Sequence, residues 1–398
     1  MSKTEKPSIR FHGFDDTWEQ RKLGDNIAEY TEKTTINNQY PVLTSSRRGI
    51  FFQTDYYDGN QIASADNTGY NIVPYGYFTY RHMSDDEIFH FNINDITENG
   101  IVSTLYPVFT TDENLDSRYL QYQLNYGKEF AKYAVLQKQG GSRTYMYLNK
   151  LKELRLTIPN FVEEQKKISA YFMKLDNFIT LHQRKFEKLT NVKKSMLEKM
   201  FPQNGSCYPA VRFKGFTGPW ERRKFGDVFE EYSEKNRADL PPLTIIQGSG
   251  TIRRDESERA LQYDKASLSN YKVVNEGDLI VHLRSFEGGL EKANSQGIVS
   301  PAYHTFRGEG IDSRFYYAYF RSKKFIDTDL KPHVYGIRDG RSIDIEGMKT
   351  IEIPFTSYPE QKLIGDAIDS INTLISLQRR ELEKLQSIKK ALLEKMFV

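Results

Sequence analysis

Apolar residues recur every three or four positions through two long stretches of the chain, one near its middle and one at its end. The positions are Ile168, Phe172, Leu175, Ile179, Phe186, Leu189, Met196 and Met200 in the first stretch, and Ile364, Ile368, Ile371, Ile375, Leu382, Leu385, Leu392 and Met396 in the second. Spacings that alternate between three and four residues are typical of a coiled-coil seam. The pattern therefore predicts two long helices that pack on each other. The residues expected to carry this packing are Ile168, Leu175, Leu189, Ile364, Ile371 and Leu385.

Polar residues interrupt both stretches at matching places. His182 and Lys193 take seam positions in the first stretch, and Gln378 and Lys389 take them in the second. Polar residues in a seam reduce stability but can fix the register and the partner of a helix. We therefore expect the two helices to pair with each other, as an antiparallel coiled coil.

The remaining sequence alternates strand-like and helix-like segments. Runs of β-branched and aromatic residues broken by glycine, as in residues 70–81 and 271–284, favour strands and hairpins. Short helices are predicted after the Asp-Ser pairs at Asp116 and Asp312, because Asp and Ser suit the N-cap position. The predicted fold class is α+β, with two globular domains that are each followed by a long helix.

The chain is a tandem duplication. The segment RFHGFDDTWEQRKLGDNIAEYTEK from Arg10 recurs as RFKGFTGPWERRKFGDVFEEYSEK from Arg212, with 14 of 24 positions identical. The two helical stretches match as well, and they close with SMLEKMF and ALLEKMF. Similarity on this scale indicates two copies of one structural unit. The predicted domains are a first globular domain (1–159), its helix (160–202), a linker (203–211), a second globular domain (212–355) and its helix (356–398).

The two copies match unevenly along their length. Residues 34–99 and 237–296 share little beyond isolated anchors such as Gly76 and Gly277, whereas the opening and closing segments are close. We therefore expect the two units to share a frame and to differ in the surfaces that the frame presents.

Composition narrows the class of protein. The chain has 56 Lys and Arg against 53 Asp and Glu, so its net charge is only +3. Contact with a polyanion must therefore depend on a local concentration of positive charge. A single cysteine, Cys207, excludes a disulfide framework and a cysteine-rich zinc site. Because the sequence has neither a signal-like opening segment nor an apolar run of about 18 residues, a cytoplasmic location is expected.

The usual motifs of enzymes are missing. The chain has no GxxxxGK[ST] phosphate loop, no GxGxxG turn after a strand, no HExxH and no GxSxG elbow. The stretch QGSGT from Gln247 contains two glycines but lacks the rest of a nucleotide-binding pattern. The histidines lack the spacing of metal ligands. No catalytic residue, metal site or bound cofactor is therefore predicted.

Basic residues beside small or amide residues are the better candidates for a functional site. Arginine forks suit guanine edges, Asn and Gln suit adenine, and glycine lets backbone amides approach phosphate. For any one arginine, a solvated turn charge remains an open alternative. Arg143 and Arg338 are the stronger candidates, because they occupy matching places in the two divergent copies. The candidate DNA-binding residues are Arg47, Arg48, Lys138, Arg143, Arg253, Arg254, Arg284, Arg338 and Arg341.

The order of these segments resembles the specificity subunit of type I restriction–modification systems. The resemblance rests on IPNFVEEQKK and IPFTSYPEQKL ahead of the helices, on FKGFTGPWERRKFGD at the start of the second copy and on the closing LEKMF, and it covers nearly the whole chain. It implies two target recognition domains, each of which reads one half of a bipartite, asymmetric DNA sequence. It also implies that the paired helices act as a spacer between the two half-sites.

The resemblance also implies partners. Two modification subunits would bind S-adenosylmethionine and methylate adenine, and restriction subunits would use ATP and Mg²⁺ to translocate and cleave DNA. The chain itself would then bind double-stranded DNA and no membrane, hold no cofactor and have no catalytic activity.

Two other classes of protein remain open. A stand-alone nuclease or DNA methyltransferase would need a cofactor, phosphate or metal motif that the sequence lacks. A coiled-coil scaffold without a role on DNA would account for the helices, and salt-dependent binding to random duplex DNA would argue against it.

Overall fold

The computed structural model describes residues 6–138, 143–203, 205–257, 265–336 and 342–397. The chain divides into two compact units. Unit 1 comprises Met1–Leu181 together with Glu381–Val398, and unit 2 comprises His182–Arg380. Each long helix therefore contributes its two ends to different units.

Unit 1 combines short strands with helices, as the α+β prediction requires. Its strands are β1 (Glu19–Lys22), β2 (Ile27–Glu29), β3 (Leu43–Ser46), β4 (Gly49–Phe52), β5 (Asn71–Pro74), β6 (Phe78–Tyr80), β7 (Met83–Ser84), β8 (Phe91–Ile93), β9 (Asn99–Val102), β10 (Val108–Thr111), β11 (Thr144–Tyr145) and β12 (Arg155–Ile158). Its α-helices are α1 (Gln53–Tyr56), α2 (Ser117–Tyr126), α3 (Lys128–Leu136), α4 (Leu148–Lys152), the first part of α5 (Val162–Lys199) and the last part of α10 (Tyr358–Met396).

Unit 2 repeats this mixture. Its strands are β13 (Glu221–Lys224), β14 (Phe229–Tyr232), β15 (Leu243–Ile246), β16 (Gly250–Arg253), β17 (Lys272–Val274), β18 (Leu279–Val281), β19 (Glu291–Lys292), β20 (Gly297–Val299), β21 (His304–Gly308), β22 (Val334–Tyr335), β23 (Ser342–Ile343) and β24 (Glu352–Phe355). Its α-helices are the last part of α5, α6 (Phe225–Val228), α7 (Ser285–Gly288), α8 (Ser313–Phe320), α9 (Ile345–Lys349) and the first part of α10.

A four-stranded antiparallel sheet lies at the centre of each unit. Its strand order is β2-β10-β6-β8 in unit 1 and β14-β21-β18-β19 in unit 2. The hairpin β3–β4 and the pair β5–β9 of unit 1 correspond to β15–β16 and β17–β20 of unit 2. The copies differ further along, where β7 pairs with β11 in unit 1 but β22 pairs with its neighbour β23 in unit 2. The common frame predicted from the duplication is thus present, and a peripheral pairing distinguishes the copies.

The two predicted short helices begin where their caps were expected. Asp116 accepts a hydrogen bond from the backbone amide of Tyr119 at 2.8 Å, at the start of α2. Asp312 accepts one from the backbone amide of Arg314 at 2.9 Å, at the start of α8. Each cap satisfies an amide that the helix itself leaves without a partner.

A buried glutamate fastens each long helix to the opening segment of its own copy. Glu164 accepts two hydrogen bonds from the Arg10 guanidinium, at 2.6 and 2.7 Å. Glu360 accepts two from Arg212, at 2.6 and 2.8 Å. Both glutamates are fully buried, so each depends on its arginine to offset the loss of hydration.

The next residue of each long helix ties it to a short helix of the same copy. The side chain of Gln165 accepts a hydrogen bond from the backbone amide of Asp116 at 2.8 Å. Gln361 accepts the corresponding bond from Asp312 at 3.0 Å. The matching EEQKK and PEQKL segments therefore have a structural role, because they fix where each helix leaves its globular part.

Within unit 1 the start of α5 lies beside the end of α10, so the two helices run antiparallel. Asp176 Oδ1 lies 2.5 Å from Lys389 Nζ. One turn earlier in α5, the Phe172 ring stacks on Phe397, which follows the last turn of α10, with ring centroids 5.6 Å apart. The predicted contact between the helices is confirmed here.

Within unit 2 the end of α5 takes the corresponding place. Phe201 is 1% exposed and contacts three aromatic rings, with centroids at 6.2 Å for Trp220, 5.0 Å for Phe315 and 5.5 Å for Tyr319. The core of each unit is thus completed by the tip of the helix that belongs to the other copy. The repeated LEKMF segment is this tip.

The six residues expected to carry the helix packing lie at different depths. Ile168 and Leu175 are buried in the core of unit 1, and the partly exposed Leu385 packs against that core. The others are Ile364, buried in the core of unit 2, Ile371, also buried, and Leu189, half-buried.

Candidate nucleic-acid interface

The turn of one hairpin presents different chemistry in the two units. In unit 1 Ser46 pairs with Gly49, which leaves a two-residue turn formed by Arg47 and Arg48. In unit 2 Ile246 pairs with Gly250, which leaves the three-residue turn 247–249, Gln-Gly-Ser. Both turns are exposed. The first therefore presents two guanidinium groups, and the second presents an amide and a hydroxyl.

Three of the predicted cationic residues of unit 1 converge on one acidic segment, residues 85–87, Asp-Asp-Glu, which follows β7. The three carboxylates pair in chain order with Arg143, Arg47 and Lys138. The Nε atom of Arg143 lies 2.8 Å from the first of them. Residues that are far apart in sequence thus form one cluster of alternating charge.

The ion pairs of Arg47 and Arg143 are exposed on both sides, whereas Lys138 pairs with the half-buried Glu87. The hydrogen bond from Arg47 is the main reason why the pKa of the Asp86 carboxyl lies well below its usual range. Exposed pairs contribute little to stability, because water and salt screen them. A phosphate group can therefore replace these carboxylates as the partner of the cations at little cost in stability.

The second arginine of the turn packs on an aromatic ring. Arg48 Cζ lies 4.5 Å from the centre of the Tyr56 ring, and its hydrogen bond lowers the pKa of the Tyr56 hydroxyl. Arg81 and His90 line the same cleft as Arg47. The pKa of His90 is lowered, first by burial and then by the charge of Arg47. A cleft with cations and aromatic walls can hold a phosphate backbone and stack on bases.

The cationic candidates of unit 2 do not converge on one acidic segment in the part of the chain that the structure describes. Arg253 forms two hydrogen bonds with Asp255, at 3.0 and 2.7 Å. Arg254 lies over the ring of Tyr271, with its Cζ atom 5.2 Å from the ring centre. Arg284 is exposed just before α7. The two remaining candidates, Arg338 and Arg341, lie outside the described residues.

A buried glutamate lies under the turn of β15–β16. Glu291 is 0% exposed, and it accepts hydrogen bonds from the backbone amides of Gly248 at 2.7 Å and Gly250 at 3.0 Å. It also accepts one from the Tyr317 hydroxyl at 2.8 Å and pairs with Arg321. A carboxylate therefore occupies the place that a phosphate would need, and QGSG is a supported turn rather than a nucleotide loop.

A half-buried histidine lies near the same turn. Burial first, and then the charges of Arg321 and Arg284, together lower the pKa of His282 to about 4. Its Nδ1 atom accepts a hydrogen bond from the backbone amide of Arg284 at 3.3 Å. His282 is therefore neutral at pH 7.

The sequence does not show which groups pair with these turns or support them. The run of acidic residues at 85–87 is visible in the sequence, but its cationic partners come from segments up to 58 residues away. Glu291 stands in the unremarkable stretch GGLEKAN. Their roles depend on which strands the fold places side by side.

The described residues contain no group of three or more His, Cys, Asp and Glu side chains placed to hold a metal ion. No helix among them combines the length and the apolar character needed to cross a membrane.

The sequence is similar to proteins of type I restriction–modification systems. Residues 15–191 match the family model described as the type I restriction modification DNA specificity domain. The chain is 25% identical over 315 residues to the type I restriction enzyme MjaVIII specificity subunit of Methanocaldococcus jannaschii, which covers 74% of this chain and 72% of the relative. A second relative from that organism, named "putative type I restriction enzyme MjaX specificity subunit", is 22% identical over 300 residues, which covers 70% of this chain and 67% of the relative.

A solved structure has the same fold. The S subunit of a type I restriction-modification system from M. genitalium aligns over 99% of both chains with a TM-score of 0.59, at 12% sequence identity. The shared fold extends over the whole chain, beyond the residues that the family model matches. The resemblance predicted from the sequence is confirmed.

Proposed function

We propose that this chain, which resembles the specificity subunits of type I restriction–modification systems, recognises a DNA sequence on behalf of such a complex. Each unit would contact one half of a bipartite, asymmetric target, and the chain would have no catalytic activity of its own. The observation that carries the proposal is the pair of matching turns, Arg47 with Arg48 in unit 1 and residues 247–249 in unit 2. The two units share a fold, but the exposed side chains of these turns differ. Recognition of two different half-sites requires such a difference.

The chemistry of unit 1 suits a contact with duplex DNA. Lys138 and Arg143 pair with the same acidic segment as Arg47. On DNA they can pair with phosphate groups instead of these carboxylates. Phosphate contacts position a protein on DNA, and arginine forks in the major groove distinguish guanine from other bases. The turn and its neighbours can therefore supply both kinds of contact.

The long helices fit the role of a spacer. α5 has 38 residues and α10 has 39, which gives each a length of about 55–60 Å at 1.5 Å per residue. Each helix belongs to both units. We propose that their length sets the number of unread base pairs between the two half-sites.

The proposal also assigns partners and cofactors. Two modification subunits would bind S-adenosylmethionine and methylate adenine at the site that this chain selects. Restriction subunits would bind ATP and Mg²⁺ and would translocate and cleave unmethylated DNA. This chain would hold none of these cofactors, and the complex would act on DNA in the cytoplasm.

The test is to co-produce the chain with its cognate modification subunits and to map the methylated adenines by sequencing. We expect one motif with two unlike halves and a constant gap. Inserting seven residues, one coiled-coil repeat, into the middle of both α5 and α10 keeps the seam in register. The inserted variant should lengthen the gap and keep both half-sites.

The control replaces seven exposed residues of the same helical segments without changing their length, and it should leave the gap as it is. An unchanged gap after the insertion would contradict the spacer role. A methylation pattern without two halves would contradict the proposal itself. Methyl transfer or cleavage by the purified chain alone would favour a stand-alone enzyme, and failure to bind random duplex DNA at any salt concentration would favour a scaffold.

A further inference from the structure

The strand at the edge of each central sheet carries a buried polar residue at the same position. Asn92 on β8 lies opposite Thr79 of β6, and Glu291 on β19 lies opposite Ile280 of β18. Thr79 and Ile280 each come three residues after a glycine that is shared by the two copies. Asn92 and Glu291 are therefore equivalent positions of the common frame, although one is neutral and the other acidic.

In unit 1 this residue holds the hairpin that ends in the two arginines. The Nδ2 atom of Asn92 donates hydrogen bonds to Ser45 Oγ at 2.8 Å and to the Ser46 carbonyl oxygen at 2.9 Å. Asn92 is 6% exposed, so water does not compete for these bonds. The last two residues before the turn are thus fixed to the central sheet.

In unit 2 the equivalent residue holds the other turn as a hydrogen-bond acceptor rather than as a donor. Glu291 accepts hydrogen bonds from the amides of Gly248 and Gly250, whereas Asn92 donates to a hydroxyl and a carbonyl. Gly250 has a φ of +78°, and a Cβ atom there would lie 2.6 Å from the carbonyl oxygen of Lys292. Only glycine therefore lets this turn approach its support so closely.

An arginine that is not part of the turn lies close to each of the two turns. Arg81 lines the cleft beside the unit 1 turn. In unit 2 the guanidinium of Arg321 is bound to Glu291, directly under the turn. Both turns are thus exposed at their tips, fixed at their bases and close to an arginine, as suits a base-reading element on DNA.

We propose that the turns 47–48 and 247–249 are the elements with which each unit discriminates bases, and that Asn92 and Glu291 are their positioning residues. This inference rests on the proposed function. Hydrogen bonds to base edges discriminate only when the side chain is held within a fraction of an ångström, which a hairpin turn without support does not provide. A donor in one unit and an acceptor in the other allow the same frame to hold two turns of different length and sequence.

The experiment uses the chain in complex with its modification subunits, and it measures methylation of the mapped target and of every single-base variant of that target. For Asn92→Ala we expect discrimination to fall about tenfold or more at bases of one half-site, with the other half-site unchanged. For Glu291→Gln we expect the same loss at the other half-site, with the first half-site unchanged. A tenfold loss corresponds to about 1.4 kcal/mol, within the range of one base contact.

Asn94→Ala is the matched control for unit 1. Asn94 is fully buried and also donates two hydrogen bonds to backbone carbonyls, to Val73 at 2.8 Å and to Thr97 at 2.9 Å. It stands two residues from Asn92 but does not contact the turn. We expect Asn94→Ala to lose about as much thermal stability as Asn92→Ala, but to discriminate between target bases as well as the unaltered chain does.

Substitutions at the exposed tips keep the inference testable even if Glu291→Gln fails to fold. Arg48→Ala and Gln247→Ala remove exposed side chains, so they should leave folding intact and change base preference in different half-sites. The inference is wrong if both tip variants discriminate like the unaltered chain, or if Asn92→Ala and Asn94→Ala relax discrimination equally. If the unaltered complex methylates no bipartite motif, the proposed function itself fails.

Discussion

The ring of Phe397 stacks on Phe172 inside unit 1, with centroids 5.6 Å apart and the ring planes 22° from parallel. The two residues come from helices of different copies. Phe201 has the equivalent place in unit 2, where it packs on Trp220 and Phe315. Neither copy therefore completes its own core, and each unit depends on the helix tip of the other copy.

Removing either tip should destabilise the unit that receives it. Phe397→Ala should destabilise unit 1 by about 3–5 kcal/mol, and Phe201→Ala should destabilise unit 2 by a similar amount, because each leaves a cavity among buried rings. Hydrogen exchange, read separately for peptides of each unit, would measure the effect. Phe178→Ala is the control, since Phe178 lies on α5 but is 53% exposed. Loss of protection in the unit that contributes the helix, rather than in the one that receives its tip, would contradict this assignment.

The two lysines that interrupt the seam should respond oppositely to replacement by methionine. Lys389 pairs with Asp176 at 2.5 Å, and its Nζ atom lies 4.7 Å from the centre of the Tyr126 ring. Lys389→Met removes the cation from that carboxylate, which keeps only the hydrogen bond from the Tyr122 hydroxyl, and should lower the free energy of unfolding by about 1–2 kcal/mol. Lys193 is half-buried, and burial lowers its pKa.

The reason for the difference is that unit 2 lacks the partners that unit 1 offers. Asn372 and Ala318 stand where unit 1 has Asp176 and Tyr122. Lys193→Met should therefore raise the free energy of unfolding by about 0.5–1 kcal/mol through added apolar burial. Denaturant unfolding of both variants is the measurement. Equal destabilisation by the two substitutions would show that Lys193 has a stabilising partner after all.

Neutralising the acidic segment 85–87 should strengthen binding to random duplex DNA. In the variant Asp85→Asn, Asp86→Asn, Glu87→Gln, three cations lose their internal partners and three charges that repel phosphate disappear. We expect several-fold tighter binding and a steeper dependence on salt, since each new phosphate contact adds about 0.9 to the slope of log affinity against log salt. Fluorescence anisotropy over a range of salt concentrations would measure both.

The control removes the same net charge elsewhere on unit 1, through the exposed residues Asp58, Glu98 and Glu113, as Asp58→Asn, Glu98→Gln and Glu113→Gln. If both triple variants bind equally tightly, the effect comes from net charge alone. In that case the acidic segment does not compete with DNA for Arg47, Lys138 and Arg143.

Mild acid should weaken unit 2 through His282. Its pKa is lowered from 6.5 to about 4 in the folded chain, so protonation favours the unfolded chain. The stability that the neutral ring contributes is complete above about pH 6.5 and is lost as the pH falls toward 4. His282→Asn should flatten the pH dependence of the melting temperature between these values. His12→Asn, at an exposed histidine, should leave it unchanged, and an equal effect of both substitutions would remove His282 as the cause.

The sequence predicted the features that local patterns specify. The period that runs through Ile168 and Phe172 identified the long helices, because a helix brings residues three and four apart onto one face. Asp116 and Asp312 marked the starts of the short helices, because an N-cap acts within its own turn. Internal similarity showed the duplication without any structural information.

Only part of the candidate site could be predicted from the sequence. Arg47 and Arg48 were chosen by residue type, and the structure places them on a hairpin turn that the other unit matches. Their carboxylate partners at residues 85–87 could not be inferred, since such pairing depends on segments that approach each other only in the folded chain.

By itself, then, the sequence determined the duplication, the two long helices and the class of residue that can meet DNA, because these depend on spacing and composition. Only the tertiary structure decided that Phe201 and Phe397 complete opposite units and that Asn92 and Glu291 hold equivalent turns. The physical reason is range: helix periodicity and capping act over a few residues. Core completion and strand pairing join groups that are far apart in the chain, as Tyr119 and Phe397 show at a separation of 278 residues.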